Sequence, residues 1–380
     1  MSQLMSAATS SGPTRPLHAL AILVFALFSL AGFYFMRIQN ARNGVPVDFD
    51  KICMSGQWSD GTPIKQTYTG VKAIDFAFTW LVPAFLTGPA GWDEGVRLQQ
   101  VHFLVNFFAV VCIWNIEASR KRNQGKIISY TAVWALFYQT VGGAAIIPLY
   151  HIAYSITSKK DSYLASGREL RPGYAESLLP AILVGYLVPT IALYIPWGDL
   201  NITQNLTALW QPAPVFPNVL LLVLVHLLSS SSSSRSTSGT SDVKHLKRIY
   251  LAIGVVSTIT HLATLYVCLT SSNPQLSLSY VFLPNKATWK LSTALGLHYI
   301  FQWDFWIIFT SSLVWCWIVV TDTLRSMQGG SRIWQKFVSA INLVLVSLVA
   351  GPGTTLALVW NWREDKLVKL QEIGRKPKAA

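Results

Sequence analysis

Charge is scarce in this chain: Asp, Glu, Lys and Arg together make up 12% of its 380 residues, against 52% hydrophobic ones. With a mean hydropathy of +0.39, that balance excludes a soluble or disordered chain of this size and indicates an integral membrane protein. Cysteine is scarce too. Cys53, Cys112, Cys268 and Cys316 are scattered, with no CxxC pair and no Cys/His cluster of metal spacing, so neither a zinc site nor a disulfide framework is indicated. No two aspartates are adjacent, which removes the aspartate-rich motif that would hold magnesium against a diphosphate. No P-loop, GxSxG, HExxH or Rossmann glycine pattern occurs in a suitable context. Metal-driven ionisation, nucleotide hydrolysis and serine hydrolysis are thereby disfavoured, and no metal is expected.

Apolar and aromatic residues are abundant, including 15 Trp, 14 Tyr and 18 Phe. A membrane-crossing helix needs ~20 mostly apolar residues. Stretches approaching or exceeding that length lie at 17–36, 71–88, 98–118, 127–156, 178–197, 213–229, 249–270, 294–321 and 337–360. The first is read as a retained anchor and not a cleaved leader. The expected fold is therefore all-α, a polytopic membrane helical bundle of about eight (7–9) transmembrane helices in one domain over 1–380. A Ser-rich flexible loop is expected at 229–248 and a basic C-terminal tail at 361–380.

Two stretches are interrupted, by Gly142-Gly143 with Pro148 and by Gly351-Pro352-Gly353. Such breaks at membrane depth require cover from protein or a cavity. Basic clusters fall at 120–126, 159–171, 235–248, 325–336 and from Arg363 onward. Straight crossings at the two broken stretches would put neighbouring clusters on opposite faces, against the positive-inside rule. Re-entrant geometry removes the conflict, and a looser charge rule explains it equally well. Asn201 and Asn205 each open a glycosylation sequon, read here as a lumen-facing loop over 199–210.

Asp304 is the clearest chemical candidate, because a carboxyl inside an apolar span is expensive unless it serves a purpose. It lies in the run His298-Tyr299-Ile300-Phe301-Gln302-Trp303-Asp304-Phe305-Trp306. At 100° per residue Phe301, Asp304, Phe305 and Ile308 share a face, with His298 on its flank. Lacking a cationic partner, such a carboxyl is expected to hold its proton and act as a Brønsted acid. The competing reading is a structural Asp bonded to a neighbouring helix. Asp75 starts the second stretch, where an acid also stabilises a helix terminus. Glu117 ends the third, with Arg120 and Lys121 at ordinary ion-pair spacing. His102, His151, His226 and His261 sit in or beside apolar runs and are read as packing residues, whereas His298 gains interest as a neighbour of Asp304.

The stretches Gly70 to Asp75 and Phe78-Thr79-Trp80-Leu81-Val82, then Glu117 to Asn123, Ile147-Pro148-Leu149-Tyr150 and the His298–Asp304 run, carry a resemblance. They resemble the fungal membrane-bound terpene cyclases of the ascofuranone-pathway type, with similar members in paxilline, aflatrem and macrophorin pathways. The resemblance implies a cofactor-independent enzyme of the endoplasmic reticulum. Such an enzyme protonates an epoxide or terminal olefin of a prenylated meroterpenoid or indole-diterpene intermediate and closes rings through a carbocation cascade. It would take Asp304, with Asp75 or Glu117 and His298, as acid and base, the assignment between them left open. Trp80, Phe301, Trp303, Phe305 and Trp306 would line the site. The expected partners are the lipid bilayer, a lipophilic prenylated substrate and other enzymes of the pathway, with no nucleic acid. Two rivals stand beside this reading: a transporter of a lipophilic metabolite, which broken helices and buried acids would also suit, and a non-catalytic scaffold, which would leave Asp304 without a task.

Overall fold

The computed structural model describes residues 14–171, 173–230, 240–328 and 332–375. Among these the regular structure is helical, with only isolated β-bridges. The main helices are α1 (His18–Asn43), α2 (Lys72–Leu86), α3 (Glu94–Ser119), α4 (Thr131–Val141), α5 (Gly143–Thr157) and α6 (Tyr174–Leu193). They continue as α7 (Leu200–Trp210), α8 (Phe216–Ser230), α9 (Val243–Thr270), α10 (Thr293–Gln328), α11 (Ile333–Ala350) and α12 (Pro352–Arg375). Six of them, α1, α3, α6, α9, α10 and α11, are long and apolar enough to cross a membrane.

The bundle is inverted relative to a water-soluble one. Outward-facing positions of α1 carry Leu20, Leu23, Leu27 and Leu30, all exposed, while Arg120, Arg168, Arg363, Glu117 and Glu364 are buried inside. In water that arrangement would be costly, and it fits an apolar surrounding. The helix α3 forms the axis and is buried along nearly its whole length. Its first turn is fixed by Asp93, whose carboxylate accepts the Val96 N–H at 2.8 Å.

Both interrupted stretches are hairpins that return to the end they came from. The helix α4 begins where the Thr131 hydroxyl donates to Asn115 Oδ1 (3.1 Å), near the C-terminal end of α3, and climbs to where Tyr138 meets Phe107 (5.2 Å). Gly142, at φ +119°, breaks the helix. The chain then descends as α5, stacking Tyr150 on Trp114 at 3.6 Å, back to the level of its start. Likewise α11 starts where Trp317 Nε1 donates to the Lys336 carbonyl (2.9 Å) and rises until Leu348 faces His261. It turns at Gly351 (φ +93°), where the Gly353 N–H donates to Asn106 Oδ1 at 3.1 Å. The return helix α12 brings Arg363 to within 2.7 Å of Glu117. Each tip thus lies about half-way along α3, and the freed backbone groups there are covered by protein.

This geometry places the described parts of the five basic regions at one end of the bundle. Arg120 and Arg168 both pair with Glu364, Arg168 also pairs with Asp242, Arg325 with Asp161, and Arg15 with Asp322. Three expectations change in detail. The stretch 71–88 gives only the 15-residue α2, because a left-handed Gly70 precedes it and it ends just ahead of the tight turn Gly88–Gly91. The segment 199–210 is the helix α7, capped by Asp199 on the Asn201 N–H (2.7 Å), and not a loop. The basic tail from 361 is, through 375, the continuation of α12, because Arg363 and Glu364 have buried partners. Of the Ser-rich loop, 231–239 lie outside the described residues, and the flanks are the ends of α8 and α9.

Candidate active site

An apolar cavity of about 450 Å³ lies between α1, α2, α3, α6, α10 and the tip of the α4–α5 hairpin. Its walls are aromatic. Phe85 sits 4.8 Å from Phe301 and 5.0 Å from Trp210, Phe107 packs on Tyr138, and Trp80 and Phe103 complete that side. Asp304 is the only carboxyl among the described lining residues.

The hairpin tip explains how Asp304 is held. Gly142-Gly143 ends one helix and starts another, leaving carbonyls unpaired on one side and N–H groups unpaired on the other. Asp304 Oδ1 accepts the Ala144 N–H at the start of α5. Arg37 serves the other side, donating from Nη2 to the Thr140 carbonyl (2.8 Å) and from Nε to the Val141 carbonyl (3.1 Å). The Arg37 cation thus sits at a helix C-terminus, which favours its sign, and the Asp304 carboxyl accepts one of the N–H groups left free at the start of α5. Glycine at 143 is favoured by proximity: a Cβ there would lie 2.5 Å from Ile308 Cδ1, which would have to move, and 3.2 Å from Asp304 Oδ1. Asp304 Oδ2 has no protein hydrogen-bond partner among the described residues.

Polar groups in the wall are few. Asn40 donates from Nδ2 to the Phe35 (2.8 Å) and Met36 (3.2 Å) carbonyls, and its Oδ1 is buried without a hydrogen-bond partner. Gln139 donates to Gln211 Oε1 at 2.8 Å. Sequence reasoning missed Arg37 and Asn40. The signal was the polar pair itself, one turn apart on a helix that runs on past its apolar stretch to Asn43.

The structure brings Asp304, Phe301 and Trp80 together on this cavity and places the other candidates elsewhere. The Asp75 carboxylate accepts the Tyr68 (3.0 Å), Thr69 (2.8 Å) and Gly70 (2.9 Å) N–H groups and the Thr69 hydroxyl (2.9 Å), clamping the loop ahead of α2. Four such donors favour the anion. Glu117 is fully buried among Arg120 (2.8 Å), Arg363 (2.7 Å) and the Trp360 indole N–H (3.0 Å), at the basic end of the bundle. His298 Nε2 lies 2.8 Å from the Tyr280 carbonyl and 3.0 Å from Gln302 Nε2, facing away from Asp304. Trp303 stacks on Phe35 at 3.8 Å. Phe305 and Trp306 turn toward a second cavity. The helical wheel put Phe305 beside Asp304, but the 100° between consecutive residues is enough to direct it behind Phe103. Among the described residues no cluster of His, Cys, Asp or Glu has the arrangement of a metal site. Asn201 and Asn205 are exposed on α7, at the end opposite the basic regions, and Asn205 Oδ1 accepts from Lys65 Nζ at 2.8 Å.

The family model described as the CtvD domain matches residues 20–368. Terpene cyclase ascI of Acremonium egyptiacum is 26% identical over 345 residues, which cover 88% of this chain and 89% of that protein. Terpene cyclase DEP1 of Fusarium langsethiae is 25% identical over 350 residues, 86% of this chain and 93% of that protein. FAD-dependent monooxygenase verC1 of Penicillium polonicum is 24% identical over 271 residues, 71% of this chain but 32% of that protein. No solved structure matches the chain.

Proposed function

The chain belongs to the CtvD domain family, and on that premise we propose that it is a membrane-embedded terpene cyclase in which Asp304 starts the reaction as a Brønsted acid. The observation that carries this is the setting of Asp304: the single carboxyl among the described lining residues of an aromatic cavity, with one oxygen fixed by the Ala144 N–H and the other without a protein partner among them. In the reaction Asp304 gives its proton to the oxygen of an epoxide. The C–O bond breaks, and the resulting tertiary cation is attacked by the alkenes of the folded prenyl chain. Loss of one proton from the last cation ends the cascade, so the net change is an isomerisation. Because Asp75 and Glu117 are engaged elsewhere, the Asp304 carboxylate left by the first step is the group placed to take that proton back. The faces of Phe301, Phe85, Phe107 and Trp210 stabilise passing cations, and the dry wall keeps water from quenching them.

Alignment with a protein named a monooxygenase supports an oxygenated substrate over a plain olefin. The substrate class is a prenylated meroterpenoid or indole-diterpene intermediate of fungal secondary metabolism, with no cofactor and with other pathway enzymes close by. The bundle crosses the membrane with α1, α3, α6, the joined α7 and α8, α9 and α10, while α4–α5 and α11–α12 are re-entrant from the cytosolic side. Both ends of the described chain then lie in the cytosol, and Asn201 and Asn205 face the lumen of the endoplasmic reticulum, where they carry glycans.

The test is microsomes from a yeast host lacking cyclases, fed an epoxidised farnesyl phenol and read by mass spectrometry for an isomer of new retention time. Asp304→Asn, at equal membrane abundance, is expected to lose at least 100-fold in conversion, the low end of what a positioned acid contributes. Full conversion by that variant would remove Asp304 from the reaction.

A further inference from the structure

A second apolar cavity, about 290 Å³, lies on the far side of the Phe103/Phe305 wall and shares no lining residue with the first. It sits between α9, α10 and the tip of the α11–α12 hairpin, rimmed by exposed Leu278, Leu283 and Trp306. Its entrance is thus apolar and faces what surrounds the bundle.

One polar chain ends in its wall, where His102 and His261 line it. His261 Nε2 lies 3.0 Å from the Leu348 carbonyl, and a carbonyl only accepts, so in the neutral ring Nε2 carries the hydrogen and Nδ1 is a bare acceptor. His102 Nε2, 3.0 Å from that Nδ1, must then be the donor. The hydrogen of the neutral His102 ring is thereby committed, and its Nδ1 is left as a lone pair. That atom is buried without a hydrogen-bond partner on a residue only 1% exposed, between Phe282 (5.0 Å) and Phe305 (5.4 Å). An unmet buried acceptor costs stability that a donor from a ligand would restore.

We propose that the His102–His261 cavity is a second ligand site, which takes the hydroxyl-bearing end of a lipophile. The hydroxyl donates to His102 Nδ1, and the hydrocarbon body extends past Leu278 and Leu283 into the bilayer. The site stands apart from Asp304 and does not depend on the cyclase reading. Two sources share this chemistry, a membrane sterol and a prenylated alcohol or phenol of the pathway.

The experiment uses the full chain in phosphatidylcholine nanodiscs, photolabelled with a diazirine sterol that retains its 3-hydroxyl. Label is expected on the peptides holding Leu278 to Leu283 and Leu313. Ergosterol should compete at least tenfold better than its 3-ketone, and His102→Phe should lose label at least tenfold. Leu278→Trp, which fills the mouth and leaves the histidines intact, should lose it as well, and Asp304→Asn should keep it. Better competition by farnesyl phenol than by ergosterol assigns the site to pathway molecules, and the reverse assigns it to membrane lipid. Equal competition by alcohol and ketone, or undiminished label in both His102→Phe and Leu278→Trp, overturns the proposal.

Discussion

At the scale of single residues, the main cavity presents two polar atoms without a protein partner among the described residues: Asp304 Oδ2, which delivers a proton in the proposed reaction, and Asn40 Oδ1, which only accepts one in a hydrogen bond. On the proposed function, a substrate with a phenol or alcohol at its head would donate to Asn40, and that contact would fix which end of the prenyl chain reaches Asp304. Asn40→Leu is expected to raise KM about tenfold for a phenolic substrate, the usual effect of one lost buried hydrogen bond. For the matching methyl ether, wild type and variant should be equal. Steady-state kinetics with the two substrates form the cycle that isolates this interaction, and an equal penalty on both would assign the loss to the helix carbonyls that Asn40 also caps. Asp304 was legible in the sequence because a carboxyl inside an apolar run has no inexpensive explanation. Asn40 was not, since polar residues are ordinary just past the end of an apolar run. For Asp75 and Glu117 the sequence left a chemical role open beside a helix-terminus or ion-pair role, and only the folded chain shows that Thr69 and Arg363 occupy them.

At the scale of elements, the α4–α5 hairpin sets the position of the acid. Its two glycines were visible as a break, and the misplaced basic clusters were visible as a conflict. The direction of the return depends on which residues meet across helices, which spacing within one segment does not encode. Gly143→Ala inserts a methyl group against Ile308 Cδ1. Overpacking of this kind costs about 1–3 kcal/mol, and it should lower both thermal stability in detergent and turnover. Ile308→Val removes that Cδ1, so the double variant should recover the melting temperature to near that of Ile308→Val alone. Turnover should recover less, because the new methyl also crowds Asp304 Oδ1. A second measurement tests the re-entrant path. Cysteines placed singly at Lys126 and Lys159, before and after the hairpin, should both react with an impermeant maleimide applied to the cytosolic face of sealed microsomes. Labelling of one only after the membrane is opened would mean that the hairpin crosses.

At the scale of the whole molecule, the basic end is tied together by a chain of buried ion pairs joining α3, the segment after α5, α9 and α12. It runs from Glu117 through Arg120 (2.8 Å) and Glu364 (2.7 Å) to Arg168 (2.6 Å) and Asp242 (2.9 Å). Glu364 is the carboxylate shared by both arginines, so removing its charge leaves Arg120 with Glu117 and Arg168 with Asp242, each short of one partner for a desolvated guanidinium. Glu364→Gln is expected to destabilise the folded chain by about 3–5 kcal/mol, read as a fall in midpoint in a denaturant titration. The same end gathers the described parts of the five basic regions, whereas α7 projects Asn201 and Asn205, with Lys65 beside Asn205, from the opposite end. Charge and sequons agree with the proposed topology, in which the basic end lies in the cytosol. In that orientation the glycan acceptors reach the lumen, and endoglycosidase treatment should sharpen and speed the wild-type band. Asn201→Gln and Asn205→Gln should each remove one glycan-sized step in mobility, and the double variant should be insensitive to the enzyme. A wild-type band that is insensitive from the start would contradict either glycan use or the orientation, and accessible Lys126 cysteine on the cytosolic face would then assign the failure to glycan use alone.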